Sequence, residues 1–158
     1  MTKDLRVQMP LWNIAAIVGL GAIIIPMLLS EIRWFDKDLI FSFKMDYILG
    51  LISLCGIFLF VVTCILVILK TIQFNKENPN LKMNMFSLTP GEYIEDDEMF
   101  RQVTNNATRK VYTFLSCAIP ILTIAVFLPK IWIAFLLILV VIIQNLIYYV
   151  EIRKYILN

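Results

Sequence analysis

Four apolar stretches around one long polar stretch constrain this chain more than any other feature of its sequence. The apolar stretches cover residues 11–29, 47–69, 111–128 and 131–150, and the polar stretch covers residues 70–110. A helix needs about 20 mostly apolar residues to cross the hydrocarbon core of a bilayer, and each stretch is close to that length. The sequence therefore predicts an all-α, polytopic integral membrane protein with four transmembrane helices in a small bundle.

The positions of lysine and arginine predict the orientation of this bundle. Ten of the 14 basic residues fall in the N-terminal segment, the polar loop or the C-terminal tail, and four fall in the two remaining connections. Cytoplasmic segments of membrane proteins carry the excess of Lys and Arg. We therefore expect a single membrane domain over residues 1–158 in the cell membrane. Both termini and the 70–110 loop should face the cytoplasm.

The two connections on the opposite side differ in length. Residues 30–46 mix charged residues with four aromatic ones: Trp34, Phe35, Phe41 and Phe43. Aromatic side chains of this kind concentrate at the membrane–water boundary, so this segment is expected to be an interfacial loop that lies on the bilayer. Pro129 and Lys130 form a tight turn, which predicts that the third and fourth spans are an antiparallel hairpin.

The polar stretch is expected to contain the start of a helix that continues into the third span, so that the cytoplasmic loop is partly helical. A capping box at residues 89–92 places this start near Glu92, and a start near Asp96 is the alternative. Apolar residues then recur every three or four positions, as on one face of an amphipathic helix: Phe100, Val103, Ala107, Val111 and Phe114. No helix breaker separates this face from the third span, so one helix should run on to about Leu128, with a kink expected at Pro120.

The start of this helix is the first place where a function could be located. Its acidic side chains could meet a basic partner, and its apolar face must be covered by lipid headgroups, by the rest of the loop or by another protein. The alternative is a solvated helix start, favoured by the helix dipole, on which nothing binds. The candidate partner-docking residues are Glu92, Glu95, Asp96, Asp97, Glu98, Phe100 and Val103.

A layer of polar residues in the cytoplasmic half of the spans is the second place. Hydrogen bonds between helices would hold the bundle together, each contributing about 0.6 to 2 kcal/mol. The alternative is a polar cavity that opens to the cytoplasm. The candidate layer comprises Asn13, Thr63, Ser116, Gln144 and Asn145.

Small residues predict where the first two spans approach other helices. Close helix packing in membranes uses such positions, because small side chains let two backbones come near each other. The first span carries one such face and the second span carries another: Ala15, Gly19 and Ala22, and then Ser53, Gly56 and Thr63.

No catalytic or metal-binding pattern is recognisable in the sequence. The chain has no histidine, its spans contain no carboxylate, and Cys55, Cys64 and Cys117 form no C-x-x-C pair. The H-E-x-x-H, G-x-S-x-G and phosphate-loop motifs are missing. We therefore expect no enzymatic activity, no cofactor and no bound metal, and a net charge of +2 does not suggest nucleic acid.

These observations favour a membrane protein that acts by protein–protein or protein–lipid interaction, as an accessory, regulatory or immunity-type factor. Its expected partners are membrane lipid and another membrane protein or a second copy of itself. A small oligomeric transporter or channel is the alternative, although its spans lack the charged residues that usually mark such pathways. A lipid-modifying enzyme is a weaker alternative. The layout resembles that of small four-span proteins of Gram-positive bacteria, some of which are immunity or accessory factors, and the Ile, Lys and Asn bias is typical of an AT-rich genome.

Overall fold

A computed structural model of the protein describes residues 5–35, 40–79, 82–83 and 98–157. Over these residues the chain forms four α-helices and a two-stranded hairpin, in agreement with the all-α expectation for the packed body. The elements in chain order are α1 Leu5–Leu29, β1 Glu31–Phe35, β2 Ile40–Lys44, α2 Tyr47–Glu77, α3 Glu98–Ile124 and α4 Lys130–Leu157. A 3₁₀ turn, Ala125–Phe127, continues α3 toward α4.

The four helices pack as a row in the order α2–α1–α4–α3. α1 contacts both α2 and α4, and α4 contacts α3. The helices alternate in direction, so the start of α1, the end of α2, the start of α3 and the end of α4 lie together. We call this the charged end and define it as residues 5–12, 70–79, 82–83, 98–111 and 148–157. The β1–β2 hairpin and the turn between α3 and α4 form the opposite, or hairpin, end.

Three of the four helices in the described part of the chain are long and apolar enough to cross a membrane: α1, α2 and α4 as far as Lys154. α1 and α2 extend beyond the predicted spans at the charged end, by six residues before residue 11 and by eight after residue 69. α3 differs because its first three turns are amphipathic and its mainly apolar part runs only from Val111 to Ile124. Length and composition thus support three of the four predicted spans.

Small residues let α1 and α2 approach closely, at faces that the sequence predicted for close packing without indicating whether the partner lies in the same chain. A Cβ atom built on Gly56 of α2 would lie 2.8 Å from the Cβ of Ala22 and 2.9 Å from the carbonyl oxygen of Gly19. Ser53 and Thr63 are buried as well. The two predicted small-residue faces therefore meet each other. Such contacts matter in lipid, where van der Waals packing replaces much of the hydrophobic driving force between helices.

The connection between α1 and α2 is not an irregular loop, and that part of the sequence-based interpretation is wrong. β1 and β2 pair in antiparallel fashion, with Ile32 opposite Phe43 and Trp34 opposite Phe41. Apolar and polar residues alternate along both strands, which is the period of a β-strand. Backbone pairing also satisfies N–H and C=O groups that a loop would leave to water. The aromatic content suggested an interface, but the alternation determined the local structure.

The turn at Pro129 places α3 and α4 side by side, which confirms the predicted helical hairpin. The backbone N–H of Trp132 donates to the carbonyl oxygen of Pro129 at 2.9 Å, in the first turn of α4. Far from this turn, the Lys110 ammonium lies 2.8 Å from the Glu151 carboxylate. These two residues are at nearly equal distances along the chain from Pro129. The two helices are therefore aligned over their whole common length.

Candidate functional site

Most of the buried apolar side chains in the described structure lie at the charged end. One cluster joins three helices: Val7 of α1, Phe100, Ala107 and Val111 of α3, and Tyr148 and Ile152 of α4. Ala107 and Ile152 are completely buried. The amphipathic period of α3 explains this cluster, because its apolar face turns toward α1 and α4 instead of toward solvent. Burial of a side chain as large as Phe100 contributes about 1.5–3 kcal/mol.

Charged side chains surround this cluster. The guanidinium carbon of Arg6 lies 4.8 Å from the centroid of the Phe100 ring, which is a cation–π distance. Lys110 and Lys154 lie 2.8 and 2.7 Å from the Glu151 carboxylate, whose side chain is only 16% exposed. Polar contacts therefore link α1 to α3 and α3 to α4 at the same level as the apolar cluster.

Replacing Lys110 with glutamine is expected to lower the free energy of unfolding by about 0.5–1 kcal/mol, the contribution of a partly exposed ion pair. Glu151→Gln should cost a similar amount, and the double variant should cost less than the sum. Unfolding by SDS in mixed micelles measures all three. Lys154→Gln is the control, because Lys154 and Glu151 belong to the same helix. Strictly additive losses for Lys110 and Glu151 would show that their pair does not stabilise the α3–α4 contact.

Asn75 attaches the chain that leaves α2 to the helix itself. The side-chain amide nitrogen of Asn75 donates to the carbonyl oxygen of Met83, and the Met83 N–H donates to Asn75 Oδ1, both at 2.8 Å. The Met83 side chain is buried and packs with Leu5 and Phe74. The start of the polar stretch therefore folds back over the ends of α1 and α2.

Replacing Asn75 with alanine is expected to release residues near Met83, because the variant removes both hydrogen bonds. The cost should be about 1–2 kcal/mol of local stability, since a backbone donor and a backbone acceptor lose their partner together. Amide hydrogen exchange of residues 82 and 83 should accelerate accordingly. Lys76→Ala, at the next and exposed position, should leave this exchange unchanged. Equal amide exchange rates at residues 82 and 83 in both variants would contradict the Asn75–Met83 contact.

A pocket of about 340 Å³ lies beside this contact, between the first turns of α1 and the last turns of α2. Its lining residues are Leu5, Gln8, Lys70, Gln73, Phe74 and Glu77. Lys70 Nζ donates to Gln8 Oε1 at 3.5 Å and lies 5.0 Å from the centroid of the Trp12 ring. Gln73 Nε2 donates to Glu77 Oε1 at 2.9 Å. The pocket therefore combines an apolar wall with one cation and one carboxylate.

The predicted docking residues are only partly within the described structure. Glu98 is exposed at the start of α3 and Val103 is half-buried. Phe100 is only 5% exposed and belongs to the apolar cluster. The ends of α1 and α4 thus cover the apolar face of α3, an arrangement that the sequence did not indicate. Four acidic residues of the predicted site lie outside the described residues: Glu92, Glu95, Asp96 and Asp97.

The residues of the predicted polar layer bond mainly to their own helices. Three of them donate to the carbonyl oxygen four residues earlier: Thr63 to Leu59 at 2.7 Å, Ser116 to Tyr112 at 2.9 Å, and Asn145 to Val141 at 2.9 Å. Such a bond satisfies a polar side chain in an apolar environment without a second helix. These three hydrogen bonds therefore do not join helices. Asn13 is exposed on α1 and Gln144 is half-buried on α4.

Sequence reasoning missed both Glu151 and the pocket. A partial signal was available at the end of α2, where Lys70, Gln73 and Glu77 recur at three- and four-residue spacing and so share one helix face. The other wall of the pocket comes from α1, more than 60 residues earlier in the chain. No local pattern indicates that these two helix ends meet, because their contact depends on how the helices pack.

Comparison with known proteins identifies no relative. No family model matches the chain, no curated protein matches it, and no solved structure matches it. Any function must therefore be inferred from the residues and the geometry of the chain itself. Within the described residues, no group of three or more His, Cys, Asp or Glu side chains is placed to hold a metal ion.

Proposed function

We propose that this chain is a four-span protein of the cell membrane that acts by binding, as an accessory, regulatory or immunity-type factor, through a charged end that faces the cytoplasm. The observation that carries this proposal is the concentration of folded polar structure at one end of the row. The apolar cluster, the Glu151 ion pairs, the Asn75–Met83 contact and the pocket all lie there. A preformed surface of this kind suits recognition of another membrane protein or of lipid.

In this proposal α3 also crosses the membrane, as the third predicted span, although its apolar part is short. Its partner α4 is long and apolar enough to cross a membrane. The Lys110–Glu151 pair at one end and the turn at Pro129 at the other hold α3 against α4 over that distance. Residues 111–128 would extend about 27 Å if fully helical, at about 1.5 Å per residue. This length is close to the hydrocarbon thickness of about 30 Å.

The distribution of basic residues supports placing the charged end in the cytoplasm. Among the described residues, nine Lys and Arg residues lie at the charged end and three lie at the hairpin end. Cytoplasmic flanks of membrane spans carry this excess. Single cysteines test the orientation in a chain whose own three cysteines are replaced by serine. Asp46→Cys should react with a membrane-impermeant maleimide on intact cells, and Lys82→Cys should react only after permeabilisation. The opposite labelling would overturn the orientation.

Matched charge changes at the two ends test the binding role. Glu95, Asp96, Asp97 and Glu98 are replaced by the corresponding amides, and the same change is made at four acids of the opposite connection: Glu31, Asp36, Asp38 and Asp46. Proteins cross-linked to each variant in intact cells are then quantified by mass spectrometry. Only the first variant should lose partners and change the cellular phenotype. If both variants keep the wild-type partners and phenotype, docking through these acids is wrong.

Solute flux through liposomes containing the purified protein would instead support the transporter alternative.

A further inference from the structure

We propose that the pocket between α1 and α2 binds the headgroup of a phospholipid that carries a primary amine, of the phosphoethanolamine type. The inference depends on one part of the proposed function, namely that the charged end lies at a membrane surface. The lining residues come from two helix ends, with Gln8 and Leu5 on α1 and Lys70, Gln73 and Glu77 on α2. No residue of the predicted docking site takes part.

The order of charges along α2 matches the order of charges in such a headgroup. Lys70 directly follows the apolar part of α2, and Glu77 is the last residue of the helix. The two residues share one face and are about 10 Å apart along the helix axis, at about 1.5 Å per residue. A phospholipid carries its phosphate next to the glycerol, close to the hydrocarbon, and its amine farther into the water. The pocket presents its cation at the inner level and its carboxylate at the outer level.

Lys70 is held in a position suited to a phosphate group. Its ammonium contacts Gln8 Oε1 at 3.5 Å and the Trp12 ring at 5.0 Å. Trp12 lies farther into α1 than Gln8, so these contacts keep the ammonium at the membrane side of the pocket. The ammonium has three donors, and charge-assisted hydrogen bonds to phosphate oxygens are stronger than neutral ones. Because these two contacts restrict the side chain, less conformational entropy is lost on binding.

The outer part of the pocket is suited to a primary amine. The Glu77 carboxylate already accepts one hydrogen bond from Gln73 and has further acceptor capacity. The carbonyl groups at the end of α2 add a partial negative charge that favours cations. A primary ammonium can donate three hydrogen bonds to such acceptors, whereas the quaternary ammonium of a choline headgroup can donate none. A headgroup without an amine brings no cation to Glu77.

The apolar wall gives the pocket a fixed shape. Leu5 and Phe74 are buried and pack with Met83, which the two Asn75 hydrogen bonds hold in place. The volume of about 340 Å³ lies at the lower end of the range for small-molecule sites, which suits a headgroup without its acyl chains. The acyl chains would then extend along the exposed apolar surface of α1 and α2 toward the hairpin end.

Lipid titration of the purified full-length protein tests this inference. The protein is held in a choline-headgroup detergent and titrated with short-chain phosphatidylethanolamine, phosphatidylcholine or phosphatidylglycerol, and native mass spectrometry measures the bound lipid. The ethanolamine lipid should bind about tenfold more tightly than the other two, as expected for one added charge-assisted contact. Lys70→Gln should weaken its binding by about tenfold, and Glu77→Gln should abolish the preference over phosphatidylcholine. Lys76→Gln makes the same charge change outside the pocket and should have no effect.

Three outcomes would overturn the inference. Equal binding of the ethanolamine and choline lipids would show that Glu77 does not recognise the amine. Equal effects of Lys70→Gln and Lys76→Gln would show that Lys70 does not bind the phosphate. Binding of soluble glycerophosphoethanolamine as tightly as the lipid would identify a soluble ligand instead. If Lys70→Gln folds poorly, Lys70→Arg provides a second test, because it keeps the charge and should retain binding. None of these outcomes changes the maleimide labelling or the cross-linked partners, so the proposed function is judged separately.

Discussion

Replacing Phe100 with alanine is expected to lower the free energy of unfolding by about 3–5 kcal/mol, the usual cost of removing a buried aromatic ring. Phe100 is 5% exposed and belongs to the cluster in which α1, α3 and α4 meet. The substitution also removes the ring that lies 4.8 Å from the Arg6 guanidinium. Loss of this residue should therefore detach the start of α3 from the rest of the charged end. SDS unfolding followed by circular dichroism measures the effect.

Met99 provides the matched control for this prediction. It precedes Phe100 in the same turn of α3, and its side chain is 63% exposed. Met99→Ala should change the stability by no more than about 0.5 kcal/mol, as is usual for surface substitutions. Similar small losses for both variants would contradict the packing of α3 on α1 and α4. Phe100 would then be available as a docking residue, as the sequence suggested.

Replacing Gly56 with alanine is expected to cost about 1–3 kcal/mol through overpacking between α1 and α2. The new methyl group would lie 2.8 Å from the Cβ of Ala22 and 2.9 Å from the backbone oxygen of Gly19. Neither atom belongs to the flexible end of a side chain, so the two helices must move apart. Alanine is favoured over glycine in a helix by about 1 kcal/mol, so any net loss understates the packing cost.

Two other glycines calibrate this measurement. A methyl group on Gly50, in the same helix, would have its nearest contact at 3.8 Å from the Met45 sulfur, so Gly50→Ala should be neutral or stabilising. A methyl group on Gly21 would lie 3.1 Å from Ile138 Cδ1, which can move, so Gly21→Ala should have an intermediate effect. Thermal unfolding in detergent ranks the three variants. Equal effects at positions 50 and 56 would contradict the close approach of α1 and α2.

Away from the charged end, α2 packs mainly against α1, and α3 packs mainly against α4. Large apolar side chains on these outer helices are exposed, including Phe58 at 72% and Ile124 at 71%. Lipid would cover such surfaces in a membrane, so exposure there does not imply a partner. The charged end differs because its central apolar cluster is already covered by the protein. Charged and polar groups are what this end presents to the cytoplasm in the proposed orientation.

The sequence by itself determined which stretches form helices, because apolar length, amphipathic period and turn residues are local properties. It did not determine every helix end, since α1 and α2 continue beyond the predicted spans at the charged end. The α3–α4 hairpin follows from Pro129. The faces that carry Gly19 and Gly56 indicated close helix packing, but only the structure shows that they contact each other. The β1–β2 hairpin was also recoverable from its alternating residues. It was missed because the aromatic side chains gave a competing signal for a membrane interface.

Only the tertiary structure decided the order of the helices in the row. Helices that are apolar on every side give no periodic signal for which neighbour they contact, and α1 therefore could not be placed between α2 and α4 from its pattern. That order brings Arg6 to Phe100 and Gln8 to Lys70, contacts between residues more than 60 positions apart. It buries the face of α3 that the sequence left open and forms the pocket at the end of α2. These features depend on the packing of distant helix ends, which local residue patterns do not encode.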